Sequence, residues 1–84
     1  MINDPLDPAR LRWACRRGML ELDVLLSKFL DQAYPKLTAA EQVLFAKLLS
    51  CQDTELFHWF LGQGAPEDPG LASMVDKVRK HARH

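Results

Sequence analysis

The chain is poor in the residues that staple or metallate small proteins. Its 84 residues include two cysteines, Cys15 and Cys51, and three histidines, His58, His81 and His84. Small oxidised scaffolds carry four or more cysteines. Two buried free thiols and a reducing compartment are therefore expected. The close C-x-x-C and H-x-x-x-H pairings that build zinc sites are missing, so Cys15, Cys51 and His58 do not make a metal site on sequence grounds. The four glycines stand singly, which excludes a glycine-rich phosphate loop and a dinucleotide fingerprint. The serines have no evident base beside them. With no converging set of reactive groups, the expectation is a protein that is not an enzyme and holds no cofactor tightly.

Charge of one sign is lacking too. Eleven basic residues offset eleven acidic ones, so there is no electrostatic reason to expect nucleic acid or an anionic membrane as partner. No apolar run approaches the roughly 20 residues that cross a bilayer. The start, Met1-Ile2-Asn3-Asp4-Pro5-Leu6-Asp7, is short and acidic, unlike a signal peptide or a mitochondrial presequence. The chain reads as cytoplasmic and bacterial.

What is present is an ordinary globular balance: 48% apolar and 26% charged residues, which argues against disorder. The length suits one domain over residues 1–84, with about 1–6 and 82–84 flexible.

Five helical segments can be read. Residues 8–17 open with Asp7 as N-cap and Pro8 at the first helical position, carry a short stripe of Leu11, Ala14 and Cys15, and stop at Gly18. Residues 19–34 place Leu22, Leu25, Leu26, Phe29 and Ala33 on one face, widened by Leu20, Val24 and Leu30, before Pro35. Thr38-Ala39-Ala40-Glu41 is a capping box that opens a third segment with Leu44, Phe45, Leu48 and Leu49 as core. Asp53 is expected to cap a fourth over residues 54–61, rich in aromatics and ended by Gly62. After a loop at residues 65–70, a fifth over 71–81 sets Leu71, Met74, Val75 and Val78 in one stripe. His81 and His84 fall in its basic tail. No segment shows strand period. The fold class is all-α, a compact five-helix bundle.

A helix-turn-helix reading of segments three and four fails on chemistry. The fourth carries Asp53, Glu55, His58 and aromatics, with no Lys or Arg to meet DNA. The cluster Lys77, Arg79, Lys80 and Arg83 reads as a solvated helix end, which suits the helix dipole. Trp13, Tyr34, Phe57 and Trp59 could form a dimer face or core, with core favoured for Phe57 and Trp59; the chain is expected to be a monomer.

The junction Arg16-Arg17-Gly18-Met19-Leu20-Glu21-Leu22-Asp23 crowds two arginines, a glycine, a methionine and two acids into one corner. The structural reading has Gly18 turning the chain, and Arg17 and Glu21 balancing opposite helix dipoles or pairing with each other at the surface. The functional reading is a protein-recognition corner of close-approach glycine, flexible methionine and fork-shaped guanidinium donors.

Here the chain resembles a known family. Arg17-Gly18-Met19-Leu20-Glu21 is similar to the R-G-x-x-E motif of the SdhE family, the FAD assembly factors of succinate dehydrogenase. The resemblance continues in Leu22-Asp23-Val24-Leu25-Leu26, Phe29-Leu30, Leu37-Thr38 to Glu41, Phe45 with Leu48-Leu49, and Asp53 through Trp59 to Gly62, covering about residues 10–65. It implies a five-helix bundle. It further implies an assembly chaperone that binds the flavoprotein subunit of succinate dehydrogenase, and in bacteria often that of fumarate reductase, and promotes covalent attachment of FAD to a histidine of that subunit. FAD then belongs to the client. Carried onto this sequence, the motif residues Arg17, Gly18 and Glu21 engage the client, with Arg16 and Met19 beside them as partner-binding candidates.

Overall fold

Helix α1, Pro8–Ala14, starts as the proline dictates, because a fixed φ and a missing N–H cost nothing at a first turn. This computed structural model describes residues 7–82. The expectations for residues 1–6 and 83–84, Arg83 and His84 included, lie outside the described residues; Ala82 is the last residue of the final helix. Asp7 holds the N-cap position without a side-chain hydrogen bond. α1 ends three residues earlier than its charge pattern suggested, so Arg16 and Arg17 lie in a linker rather than on the helix.

α2, Leu20–Gln32, buries Leu22, Leu26, Phe29 and Leu30. Leu25 and Ala33 are half-buried, and Leu20 and Val24 face outward instead of widening the core face. The helix stops short of Tyr34 because Pro35 disfavours helical backbone before it; a 3-10 turn, Tyr34–Lys36, follows. α3, Ala39–Leu48, opens with the expected capping box: the Thr38 hydroxyl accepts from the Glu41 N–H at 3.2 Å, and Glu41 accepts from the Thr38 N–H at 2.9 Å. That bond, with Lys77 beside it, holds the Glu41 carboxyl below the usual carboxylate range.

α4, Asp53–Phe60, corrects the expected cap. Gln52 is the N-cap, and its backbone N–H donates to Glu55 at 3.3 Å, so Asp53 is the first helical residue and its carboxylate is free for another partner. At the other end Gly62 adopts φ +81, and the N–H groups of Gly62 and Gln63 return to Trp59 and His58. This is a Schellman stop, whose left-handed residue suits glycine. α5, Pro69–Ala82, starts two residues before its apolar stripe, because Asp68 caps it through the Gly70 N–H at 2.8 Å. Gly70 is therefore helical rather than loop. A Cβ there would meet Leu44 at 2.8 Å, so this glycine lets α5 lie close on α3.

α5 packs against α2, α3 and α4, while α1 lies on α2. The core runs through Leu11, Cys15, Leu26, Phe29, Phe45, Leu48, Leu56, Met74 and Val78. Phe29 and Phe45 meet at 5.1 Å between ring centroids. His81 is not in a loose tail: it stands edge-on to Phe29 at 5.5 Å and meets Gln32 at 3.0 Å. Tyr34, Phe57 and Trp59 pack against the core, whereas Trp13 is 74% exposed. The basic cluster is tied into the fold. Lys77 pairs with Glu41, Lys80 pairs with Asp76, and the Arg79 guanidinium lies over Gly62.

Among the described residues there are five α-helices and no strand, the all-α bundle expected. No helix there is long and apolar enough to cross a membrane. Both cysteines are free thiols, Cys15 buried and Cys51 only half-buried. Burial pushes the Cys15 thiol up to about 11 and raises Cys51 as well.

Two measurements check this packing. Leu26→Ala should lose roughly 2–5 kcal/mol in thermal melts, whereas Leu20→Ala, on the open face, should stay within about 0.5 kcal/mol. Iodoacetamide at mildly alkaline pH should alkylate Cys51 before Cys15, which should react only as the protein unfolds; equal rates would contradict the burial of Cys15.

Candidate functional site

The linker between α1 and α2 holds the corner singled out by the sequence, and the structure splits its residues into an inward and an outward set. Arg17 goes inward. Its side chain is 13% exposed. One terminal nitrogen donates to the Leu49 carbonyl, and the other donates to the Cys51 carbonyl at 3.3 Å and the Asp53 carboxylate at 3.2 Å. The physical reason is the end of α3. The last carbonyls of a helix have no intrahelical donor, and they form the negative end of its dipole. A planar guanidinium can serve several acceptors at fixed angles, which an ammonium cannot. Only the Arg17 Nε finds no partner. The Arg17 backbone N–H donates to Asp23 in the first turn of α2, at 3.4 Å, so the linker is held from both ends.

The expected surface pairing of Arg17 with Glu21 is therefore not what forms. Arg17 pairs with Asp53, and Glu21 stands exposed on the first turn of α2 without a hydrogen bond or ion pair to any of the described residues. Met19 is the N-cap of α2 and packs half-buried against the core, so it supports the corner more than it projects from it.

Gly18 is also not what the turn reading expected. The positive-φ glycines among the described residues are Gly62 and Gly64, so Gly18 turns the chain in ordinary backbone space. A Cβ on it would meet only an Asp53 carboxylate oxygen at 3.9 Å, an ordinary contact. Neither strain nor crowding within the chain demands a glycine here.

The outward set is Arg16, Gly18 and Glu21. Arg16 lies over the ring of Trp13 at 5.8 Å. Leu20 and Val24, 72% and 57% exposed, continue the open face along α2. Sequence reasoning left Trp13 among core or dimer candidates and placed Leu20 and Val24 in the core. Trp13 could have been found by period, since it falls off the Leu11, Ala14, Cys15 stripe. Asp53 was missed as a partner because a helix-start aspartate looks like a cap. Among the described residues no group of three His, Cys, Asp or Glu side chains is placed to hold a metal ion.

A small helical bundle whose charged corner faces outward from a rigid junction belongs to the class of protein-binding domains. The comparisons give the family. The model described as flavinator of succinate dehydrogenase, Sdh5, matches residues 9–82. The FAD assembly factor SdhE of Shewanella oneidensis is 57% identical over 74 residues, covering 88% of this chain and 90% of that protein. The one from Aliivibrio fischeri is 51% identical over 75 residues, covering 89% and 87%. The solution structure of a UPF0350 protein superposes with a TM-score of 0.76 at 49% identity, over 89% of this chain and 80% of that one. The chain belongs to the Sdh5/SdhE family of FAD assembly factors.

The geometry separates the two charged residues of the motif in their weight on folding. Arg17→Ala should cost roughly 1.5–3 kcal/mol, because it leaves helix-end carbonyls and a half-buried carboxylate without their charged donor. Glu21→Ala should change stability by less than about 0.5 kcal/mol. Denaturant titrations of the two variants side by side decide the point; equal midpoints would mean that the Arg17 contacts carry no folding energy.

Proposed function

We propose that this chain assembles the flavoprotein subunit of succinate dehydrogenase by docking its outward corner, Arg16, Gly18 and Glu21, on that subunit while FAD becomes covalently attached there. The same corner would serve the flavoprotein subunit of fumarate reductase. The observation that carries the reading is Gly18: it is exposed, its φ is not positive, and among the described residues only an Asp53 carboxylate oxygen, at 3.9 Å, comes near the space a Cβ would take. A glycine without an internal reason points to an external one, the close approach of another backbone. Beside it the exposed Glu21 carboxylate has no partner among the described residues and is available to accept donors from the client.

The covalent bond forms between a histidine of the client and its flavin, and FAD is the client's cofactor. This chain's residues bind and orient. Arg17 and Asp23 fix the linker, α2 carries Glu21 at a set distance from Gly18, and Trp13 with Arg16 supplies an aromatic and cationic flank of the kind that anchors interfaces. Holding the client in one geometry converts binding energy into correct placement of its own groups. The chain is not consumed, works as a monomer in the cytoplasm and is no enzyme.

Purified apo-flavoprotein incubated with FAD, with and without this chain, tests the proposal through in-gel flavin fluorescence. Wild-type chain should raise covalent flavin. Glu21→Ala and Gly18→Val should bind the client roughly tenfold or more weaker, as expected for removing one partner of a desolvated interface contact, while melting like wild type. Full flavinylation by both variants would remove the corner from the mechanism.

A further inference from the structure

Asp53 bonds the inward half of the corner and borders the outward half. One carboxylate oxygen accepts from Arg17 at 3.2 Å, and the other lies 3.9 Å from where a Gly18 Cβ would stand. It sits on α4, more than thirty residues from the motif in sequence, and it is not needed to close its own turn. The α3–α4 turn is closed by the Ser50 N–H to Lys47 and the Cys51 N–H to Leu48. The start of α4 is closed by Glu55 accepting from the Gln52 N–H, and by the Leu56 N–H returning to Gln52. A carboxylate at the first helical position has favourable company in the helix dipole. What it does beyond that is hold Arg17.

We infer that Asp53 is a positioning residue for client binding, acting through Arg17 to fix the linker that presents Gly18 and Glu21; this rests on the docking reading above. Arg17 is bound on one side by backbone carbonyls of the α3–α4 turn, at the C-cap Leu49 and at Cys51, and on the other by Asp53, whose side chain can rotate. Asp53 is therefore the adjustable half of the clamp. Without its charge the guanidinium keeps its carbonyls but loses the contact that draws the linker toward α4. Gly18 in the linker then samples several placements relative to Glu21, which α2 holds, and the client must select one of them, which lowers apparent affinity in proportion to the fraction correctly placed. Asp53, 29% exposed, borders the corner, and the coupling of its effect to Arg17 is what separates positioning from a direct contact.

The test is a mutant cycle on the full chain, read by affinity for the purified apo-flavoprotein subunit, by thermal melts, and by the backbone amide signals of Gly18 and Val78 in heteronuclear NMR. Asp53→Ala should weaken binding about tenfold, and Arg17→Ala combined with Asp53→Ala should bind no worse than Arg17→Ala alone, because the two residues act as one unit. Asp53→Glu, which keeps the charge, should restore most of the affinity. The Gly18 amide should shift or broaden in Asp53→Ala while that of Val78, in the core of α5, stays in place. Asp53→Asn is nearly isosteric and gives the same test if Asp53→Ala folds poorly. Wild-type affinity in both Asp53→Ala and Asp53→Asn overturns the inference, as does a loss that adds fully to that of Arg17→Ala, which would make Asp53 an independent contact. If Glu21→Ala and Gly18→Val lose binding while the Asp53 variants do not, the positioning role alone falls. If Glu21→Ala and Gly18→Val also bind normally, the docking reading falls and takes this one with it.

Discussion

A guanidinium placed where a helix runs out of donors organises this protein. Helix α3 ends in carbonyls without intrahelical donors, and the linker between α1 and α2 delivers Arg17 to the one at its C-cap, Leu49, and to that of Cys51 in the turn beyond. The first residue of α4 closes the other side of the charge. One side chain from the beginning of the chain thus joins the end of α3, the start of α4 and the entry to α2. None of those elements exceeds 13 residues, a length at which isolated helices are marginal in water. Their arrangement has to come from contacts between them, and at this corner the contact is polar.

That placement divides the motif by role. In Arg17-Gly18-Met19-Leu20-Glu21 the arginine and the methionine face the fold, while the glycine, the leucine and the glutamate face solvent. The five residues are contiguous in sequence but act from opposite sides of the chain. If the outward members bind the client as proposed, such a motif couples folding to binding, because its inward members help set the coordinates of its outward ones. Loss of function in an inward variant would therefore not by itself show contact with a partner, and the distinction has to come from stability measured on the same variant.

The helices were legible because their signals are local. Pro8, the Thr38 capping box and the stop at Gly62 each act through neighbouring backbone, and the five-helix reading needed nothing else. The core stripe of α5 was legible for the same reason, since Leu71, Met74, Val75 and Val78 repeat at helical period. What was not legible depended on residues far apart. Asp53 was assigned to capping, a local task, and its partner lies 36 positions away. Gly70 was assigned to a loop because its reason for being glycine is Leu44 on another helix. Leu20 and Val24 were assigned to the core on hydropathy, which cannot tell a face covered by this chain from one left open. At the candidate site, the residue types were legible and their orientations were not: Arg17 and Glu21 carry opposite charges four positions apart, and only the position of the α3 terminus decides that Arg17 turns away.

The open face sets a scale for what the corner can do. A standard interface covers about 800 Å² per partner, roughly a seventh of the 5534 Å² that this molecule exposes. Trp13, Arg16, Gly18, Leu20, Glu21 and Val24 lie on the end of α1, the linker and the first turns of α2, and such an area could take them in together. Affinity does not follow from that area, because association entropy and side-chain ordering offset most of the burial. It follows from a few desolvated anchors and from how little must be ordered on binding. On the proposed docking, a linker already pinned by Arg17 would have less order left to acquire, and the polar clamp would then contribute to recognition through the placement of Gly18 rather than through a contact of its own.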